Sequence, residues 1–155
     1  MNGWITQLPK EILSEPYLLV SNKLGRTPLH WAASGGRLDL IPRELLIRRN
    51  LVKSGNDGTT PLHCAAANGH LDQVPVEILT AENLTIRDLE GVTALHWAAL
   101  HGHIDQIPNE VLTPKNLSIP DYSGRTVLQA AKEAGAWPSI LDQHMATAEI
   151  LFPGR

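Results

Sequence analysis

The side chains that could do chemistry in this chain are histidines and carboxylates, and most of them return at a fixed interval. Seven histidines occur in 155 residues. His101 and His103 flank a glycine, and Asp105 follows two positions later, a grouping that could begin a zinc site. Zinc needs three or four ligands converging at about 2 Å, and Asp105 is the single nearby candidate for a third. Two carboxylate series, Asp39, Asp72, Asp105 and Glu44, Glu77, Glu110, could in principle supply an acid–base pair. Both keep a 33-residue spacing, as do His30, His63 and His96, and His103 aligns with His70. Residues that keep a period serve the scaffold, whereas a catalytic pair is expected to break it. There is no G-x-S-x-G, no Gly-rich phosphate loop and no cysteine besides Cys64, which fills the slot of Trp31 and Trp97 and reads as a packing residue. The expectation is no catalytic residue, no metal and no cofactor.

The elements that would hold these groups are set by the same period. Gly25, Gly58, Gly91 and Gly124 open the segments GRTPLHWAA, GTTPLHCAA, GVTALHWAA and GRTVLQAA, and residues 58–90 and 91–123 are identical at about 18 of 33 positions. Such a period marks stacked units, each burying its apolar face against its neighbours. The domain reading is one array over 1–155. It has a half-unit cap at 1–24, full units at 25–57, 58–90 and 91–123, and a cap unit at 124–155.

Within a unit, Thr27, Thr60 and Thr93 read as helix N-caps, and Pro28 and Pro61 sit at the first helical position, where a missing N–H costs nothing. Paired alanines (Ala32-Ala33, Ala65-Ala66, Ala98-Ala99) let neighbouring helices approach, and Leu29, Leu62, Leu95 and Leu128 form the recurring core. Gly35, Gly69, Gly102 and Gly135 are expected to end this inner helix at positive φ. Histidines 30, 63 and 96 are placed to bridge backbone groups of adjacent turns. The second half carries Pro42, Pro75 or Pro108, which a continuous helix would not tolerate. Two short helical pieces are predicted instead, the second capped by Thr80 or Thr113 and stopped by Asn83 or Asn116. Asp88 and Asp121 mark the turns between units.

The pattern G-x-T-P-L-H-W-A-A-x-x-G-H-L-D resembles the ankyrin repeat, whose TPLHxA signature and 33-residue period it matches. The resemblance implies an all-α solenoid of helix–turn–helix units with projecting turns. It also implies noncatalytic recognition of another protein through the turn tips and the concave inner-helix face. The outer half departs from the family pattern, and its PxE[IV]LTxxNL form is similar to repeats of bacterial ankyrin proteins. Mapped on the family pattern, Arg26, Leu89, Val92, Tyr122 and Arg125 fall at turn tips, and Leu100 and His101 at the end of an inner helix. These seven are the candidate partner-binding residues. Trp31 and Trp97 border the groove but are expected to be partly buried against the next inner helix.

Composition narrows the partner class. The net charge is −3 and the longest basic run is Arg48-Arg49, so no basic stripe for nucleic acid is visible. No apolar run approaches the roughly 20 residues that span a bilayer. The opening MNGWITQLPKEIL lacks the apolar core of a secretory signal, and one cysteine fits a reducing compartment. The expectation is a soluble cytoplasmic monomer that binds a protein, with delivery into a host cell left open. Leu8–Leu13 matches Ile41–Leu46, so the chain starts with an outer half-unit. Either Trp4 and Ile5 cover the first unit's edge or that edge meets a second chain. Pro138–Phe152 is expected to form a closing helix. Two other classes stay open: a self-assembling element using the N-terminal edge, and a metal-dependent enzyme using His101 and His103.

Overall fold

Four short helices, one per unit, stack side by side: α2 (Pro28–Ser34), α4 (Pro61–Asn68), α6 (Ala94–Leu100) and α8 (Val127–Glu133). The computed structural model describes residues 14–135. Trp4, Ile5, Leu8–Leu13 and the closing helix expected over Pro138–Phe152 lie outside the described residues. Helices of seven or eight residues do not persist alone in water, so their stability comes from capping and packing. Thr60 Oγ1 accepts from the His63 N–H, and Thr93 Oγ1 accepts from the His96 N–H. The alanine pairs are at most 1% exposed, and Leu29, Leu62 and Leu95 are likewise buried. Leu128, their counterpart in the last described unit, is half-buried.

The outer halves are broken into three pieces, not the two expected. In the middle unit these are single 3-10 turns at Leu71–Gln73 and Val76–Ile78, then α5 (Ala81–Leu84). The preceding unit repeats this with Leu38–Leu40, Arg43–Leu45 and α3 (Arg48–Leu51). The third has Ile104–Gln106 and α7 (Pro114–Leu117), with a turn closed by Val111 N–H to Pro108 O between them. Helix α1 (Glu15–Leu18) is the matching piece ahead of α2. The proline accounts for the extra break. Pro75 lies just ahead of its turn at ψ 131°, and Val74 before it is also extended at ψ 135°, as the proline ring demands. Two extended residues in succession leave room for only one 3-10 turn on each side.

Asn83 and Asn116 do not stop a helix. They are buried inside α5 and α7, where their Nδ2 groups donate to the carbonyls of Ile78 and Val111 at 2.8 Å. Each adds a second donor to a carbonyl that already accepts from the N–H two residues on, Thr80 or Thr113, and so ties the last helical piece to the turn before it. Asn83 Oδ1 accepts from Arg48 Nε at 2.7 Å, whereas buried Asn50 Oδ1 has no hydrogen-bond partner. The reason is visible in the repeat: position 15, equivalent to 48, is a glutamate that pairs instead with Arg49.

One glycine expectation also changes. Gly35 has φ −92°, and the left-handed residue of the first unit is Gly36 at φ 64°. Counting 33 residues back from Gly69 (φ 75°) lands on Gly36, so the adjacent pair Gly35-Gly36 obscured the register. A side chain at these places would collide with the next unit. A Cβ on Gly36 would lie 2.7 Å from the His70 ring, and one on Gly69 would lie 2.8 Å from the His103 ring.

Glutamines add a second inter-unit tie that the sequence reading did not identify. Gln73 accepts from Leu38 N–H at 3.0 Å and donates to Gly36 O at 3.2 Å. Gln106 repeats this on Leu71 N–H and Gly69 O. The turns are also joined by backbone bonds: Asn56 N–H to Leu24 O, Leu89 N–H to Asp57 O, and Tyr122 N–H to Glu90 O, at 2.9–3.0 Å. Units therefore register at the turn, the inner helix and the outer half at once.

Candidate protein-interaction surface

The periodic histidines are structural. Thr60 N–H donates to His63 Nδ1 at 3.2 Å, which places the imidazole proton on Nε2, and Nε2 donates to Val92 O in the next turn at 3.3 Å. His30 and His96 make the same pair of bonds, to Thr27 and Thr59 O and to Thr93 and Arg125 O. Burial pushes all three below the ordinary 6.5, because a protonated ring is poorly solvated there and has no use for a second N–H at Nδ1. In the unfolded chain they take up protons as pH falls through about 6.5, while the folded chain resists. Stability is therefore fully present above that value and is lost as pH drops toward the depressed folded values. Denaturant titrations at pH 7 and 5 are expected to differ by about 1–3 kcal/mol. A flat profile across that range would contradict neutral histidines in the stack.

The other candidate chemical groups are engaged separately. The His101 ring stacks on Trp97 with centroids 5.5 Å apart and planes at 18°, while the His103 ring lies against Gly69 of the preceding unit. Among the described residues no group of three or more His, Cys, Asp or Glu side chains is gathered as a metal would require. Cys64 is half-buried, and burial pushes its thiol up, the opposite of an activated nucleophile.

The seven candidate contact residues separate into three kinds. Leu89 and Tyr122 occupy equivalent places on successive turn tips, exposed at 70% and 71%. Leu100 is half-buried and His101 exposed at the end of α6, on the inner-helix side. Val92 is a correction, since it is buried. Its N–H donates to Asp88 Oδ1 at 2.9 Å and its carbonyl receives His63, so it closes the turn instead of facing a partner. Arg26 and Arg125 are half-buried and held by ion pairs. Arg26 Nη2 lies 2.7 Å from Asp57 Oδ2 of the next turn. Burial alone would raise the Asp57 carboxyl, but bonds from Thr59 and Arg26 outweigh it and hold it at about 2. Arg125 Nε lies 3.4 Å from Asp121 Oδ2, and its Nη1 3.7 Å from Glu133 Oε2.

Arg87 was missed by the sequence reading. Its Nη1 donates to Gly91 O and Pro120 O at 3.0 and 2.6 Å, and its guanidinium lies 5.7 Å from the centre of the Tyr122 ring. The signal that could have found it is a break in the period: the equivalent positions are Ser54 and Pro120. Arg87 and the close fit of the ring over Gly91 fix Tyr122 from below while its outer surface stays in water. Trp31 also departs from expectation. It is 56% exposed, whereas Trp97 is half-buried.

Residues 6–76 match a family model described as ankyrin repeats (3 copies). Over that stretch the chain carries ankyrin repeats. The inner helices, the capping histidines and the stitched turns continue that unit beyond residue 76, through α6 and α8. No curated protein matches the sequence. Ankyrin repeats generally mediate protein–protein interaction. Among the described residues no helix is long and apolar enough to cross a membrane.

Proposed function

We propose that this chain is a noncatalytic module that binds a partner protein across the tips of its last two described inter-unit turns and the adjoining concave face. Leu89 and Tyr122 are the anchors, with Leu100 and His101 lining the inner-helix side. Arg26 and Arg125 shape the turns through their ion pairs. The observation that carries this reading is the Leu89–Tyr122 pair: two large apolar side chains exposed side by side on backbone-stitched turns. Aromatic anchors on a preformed surface lose little conformational entropy on docking. Whether the bound partner is inhibited, sequestered or bridged to a third protein is a property of that partner.

The test compares partner capture by the wild-type chain and by Leu89→Ala/Tyr122→Ala. Both side chains are exposed, so the double variant is expected to unfold within about 1 kcal/mol of wild type. Partner affinity is expected to fall by at least about 30-fold. Full retention of the same partner would move the binding face off these tips.

A further inference from the structure

Asp39 and Asp72 keep the period without a partner inside the stack. The histidines at 30, 63 and 96 and the glutamines at 73 and 106 return at the same interval because each bonds the neighbouring unit. The two aspartates sit exposed in the 3-10 turns Leu38–Leu40 and Leu71–Gln73, and among the described residues neither carboxylate takes a hydrogen bond or an ion pair. One 3-10 turn aligns too few peptide dipoles to hold a carboxylate in place. Both line an open groove of about 430 Å³ between the first two outer halves. Its floor is apolar: Ile41, Leu46, Val74 and Pro75 are buried, and Val76 stands at the edge, 69% exposed. Gln73 on the wall bonds Leu38 N–H and Gly36 O, which fixes the spacing of the two sides. Arg43, the cation in the lining, is already committed to Glu77, with Nη2 3.1 and 3.5 Å from its two oxygens. Two negative charges thus stand unanswered over an apolar floor.

We propose that this groove is a second docking site, sharing no residue with the turn-tip surface, and that it takes an extended basic segment of a partner protein. Charge selects the occupant. An acidic segment would meet two like charges, and an uncharged one would desolvate both carboxylates without pairing them. A lysine or arginine lays its alkyl stem on the apolar floor and keeps its cation at the carboxylates. The surrounding field has the same sign: residues 70–78 and 103–111 hold Asp72, Glu77, Asp105 and Glu110 and no lysine or arginine. Inner helices packed side by side stand roughly 8–10 Å apart, so Asp39 and Asp72 are about one such step from each other. An extended chain covers that step in about three residues. The segment therefore carries two basic residues three apart with an apolar side chain between them. A second copy of this chain fits poorly, because its longest basic run, Arg48-Arg49, is bound to Glu82 and Glu15.

Selection from a displayed random heptapeptide library, run in parallel on the full chain and on Asp39→Asn/Asp72→Asn, tests this. Asparagine keeps the shape and removes the charge at two exposed positions, so thermal melts of the two chains are expected to agree within about 2 °C. Peptides held by the turn tips survive on both chains and cancel, which separates this test from the fate of the turn-tip reading. The wild type is expected to enrich peptides of the basic–apolar–basic pattern, and the Asn variant to bind the best of them at least about 10-fold more weakly. Raising salt from about 20 mM to about 300 mM is expected to weaken the wild-type complex about fivefold. Asp39→Lys/Asp72→Lys is expected to select acidic peptides in their place. Identical peptide sets on the wild type and the Asn variant overturn the proposal. An acidic or uncharged consensus among the peptides lost on the Asn variant does the same. So does a sedimenting mass above 17.0 kDa without peptide that the Asn variant abolishes, which assigns the groove to a second copy.

Discussion

His63→Ala is expected to lower the unfolding free energy by about 3–4 kcal/mol, among the largest single effects in this chain. His63 is 2% exposed, and no water can replace what it holds. Its removal strands the Thr60 N–H, takes from the Val92 carbonyl the bond that crosses the unit boundary while Asp88 N–H still donates there at 2.9 Å, and leaves a void the size of an imidazole. An unsatisfied buried backbone group costs about 1–3 kcal/mol, and the void and the lost inter-unit bond add to it. The chain supplies its own control. At the equivalent place in the last described unit, Gln129 Oε1 accepts from Thr126 N–H at 2.8 Å, so a glutamine restores the cap. His63→Gln is therefore expected to recover about half the loss, keeping the bond to Thr60 and forfeiting the reach to Val92. Urea titration of the two variants separates cap from bridge. Equal losses in both would mean the cap contributes nothing, and a loss under about 1 kcal/mol in His63→Ala would refute the bridging role.

Gly58→Ala is expected to cost about 3 kcal/mol, and Gly124→Ala only about 1. Both glycines are left-handed, at φ 80° and 87°, so both substitutions carry the same backbone strain. They differ in what a methyl group would meet. On Gly58 it would lie 2.8 Å from Asp88 Cα and from the Leu89 nitrogen, whereas on Gly124 nothing comes within 4 Å. The obstruction is backbone and cannot rotate away. The turns would have to part, breaking the Leu89 N–H bond to Asp57 O that stitches them. Thermal melts of the two variants side by side give the comparison. Equal shifts would show that turn stacking places no demand on Gly58 beyond its own φ.

Periodicity made the stack legible before any coordinates. A leucine, an alanine pair and a Thr-x-x-His box that recur at one interval must meet the same neighbours in each unit, because every unit touches only the next. The burial of Leu29, Leu62 and Leu95 and the two-ended bonding of His30, His63 and His96 follow from sequence for that reason. The prolines likewise announced a broken outer half. The number of pieces depended on two consecutive extended residues, which only the backbone angles reveal.

The candidate surface was legible by position and not by exposure. The family pattern put Leu89 and Val92 on the same turn, three residues apart, and only one of them meets water. A tight turn held by Asp88 points neighbouring side chains to opposite sides, and its twist is fixed by the bond from the preceding turn. Arg26 and Arg125 looked like free anchors because their partners, Asp57, Asp121 and Glu133, are set by folding. Trp31 and Trp97 share one slot in the repeat but not one environment, since α6 has an inner helix before it and α2 has none among the described residues. Sequence by itself determined the stacking unit, its caps and its core, all of them contacts within a unit or with the next. Tertiary structure decided which tips stay in water and, among the described residues, how differently Trp31 and Trp97 are exposed. Exposure depends on whether a neighbour is present and how the turn is aimed, and a repeating pattern of residue types encodes neither.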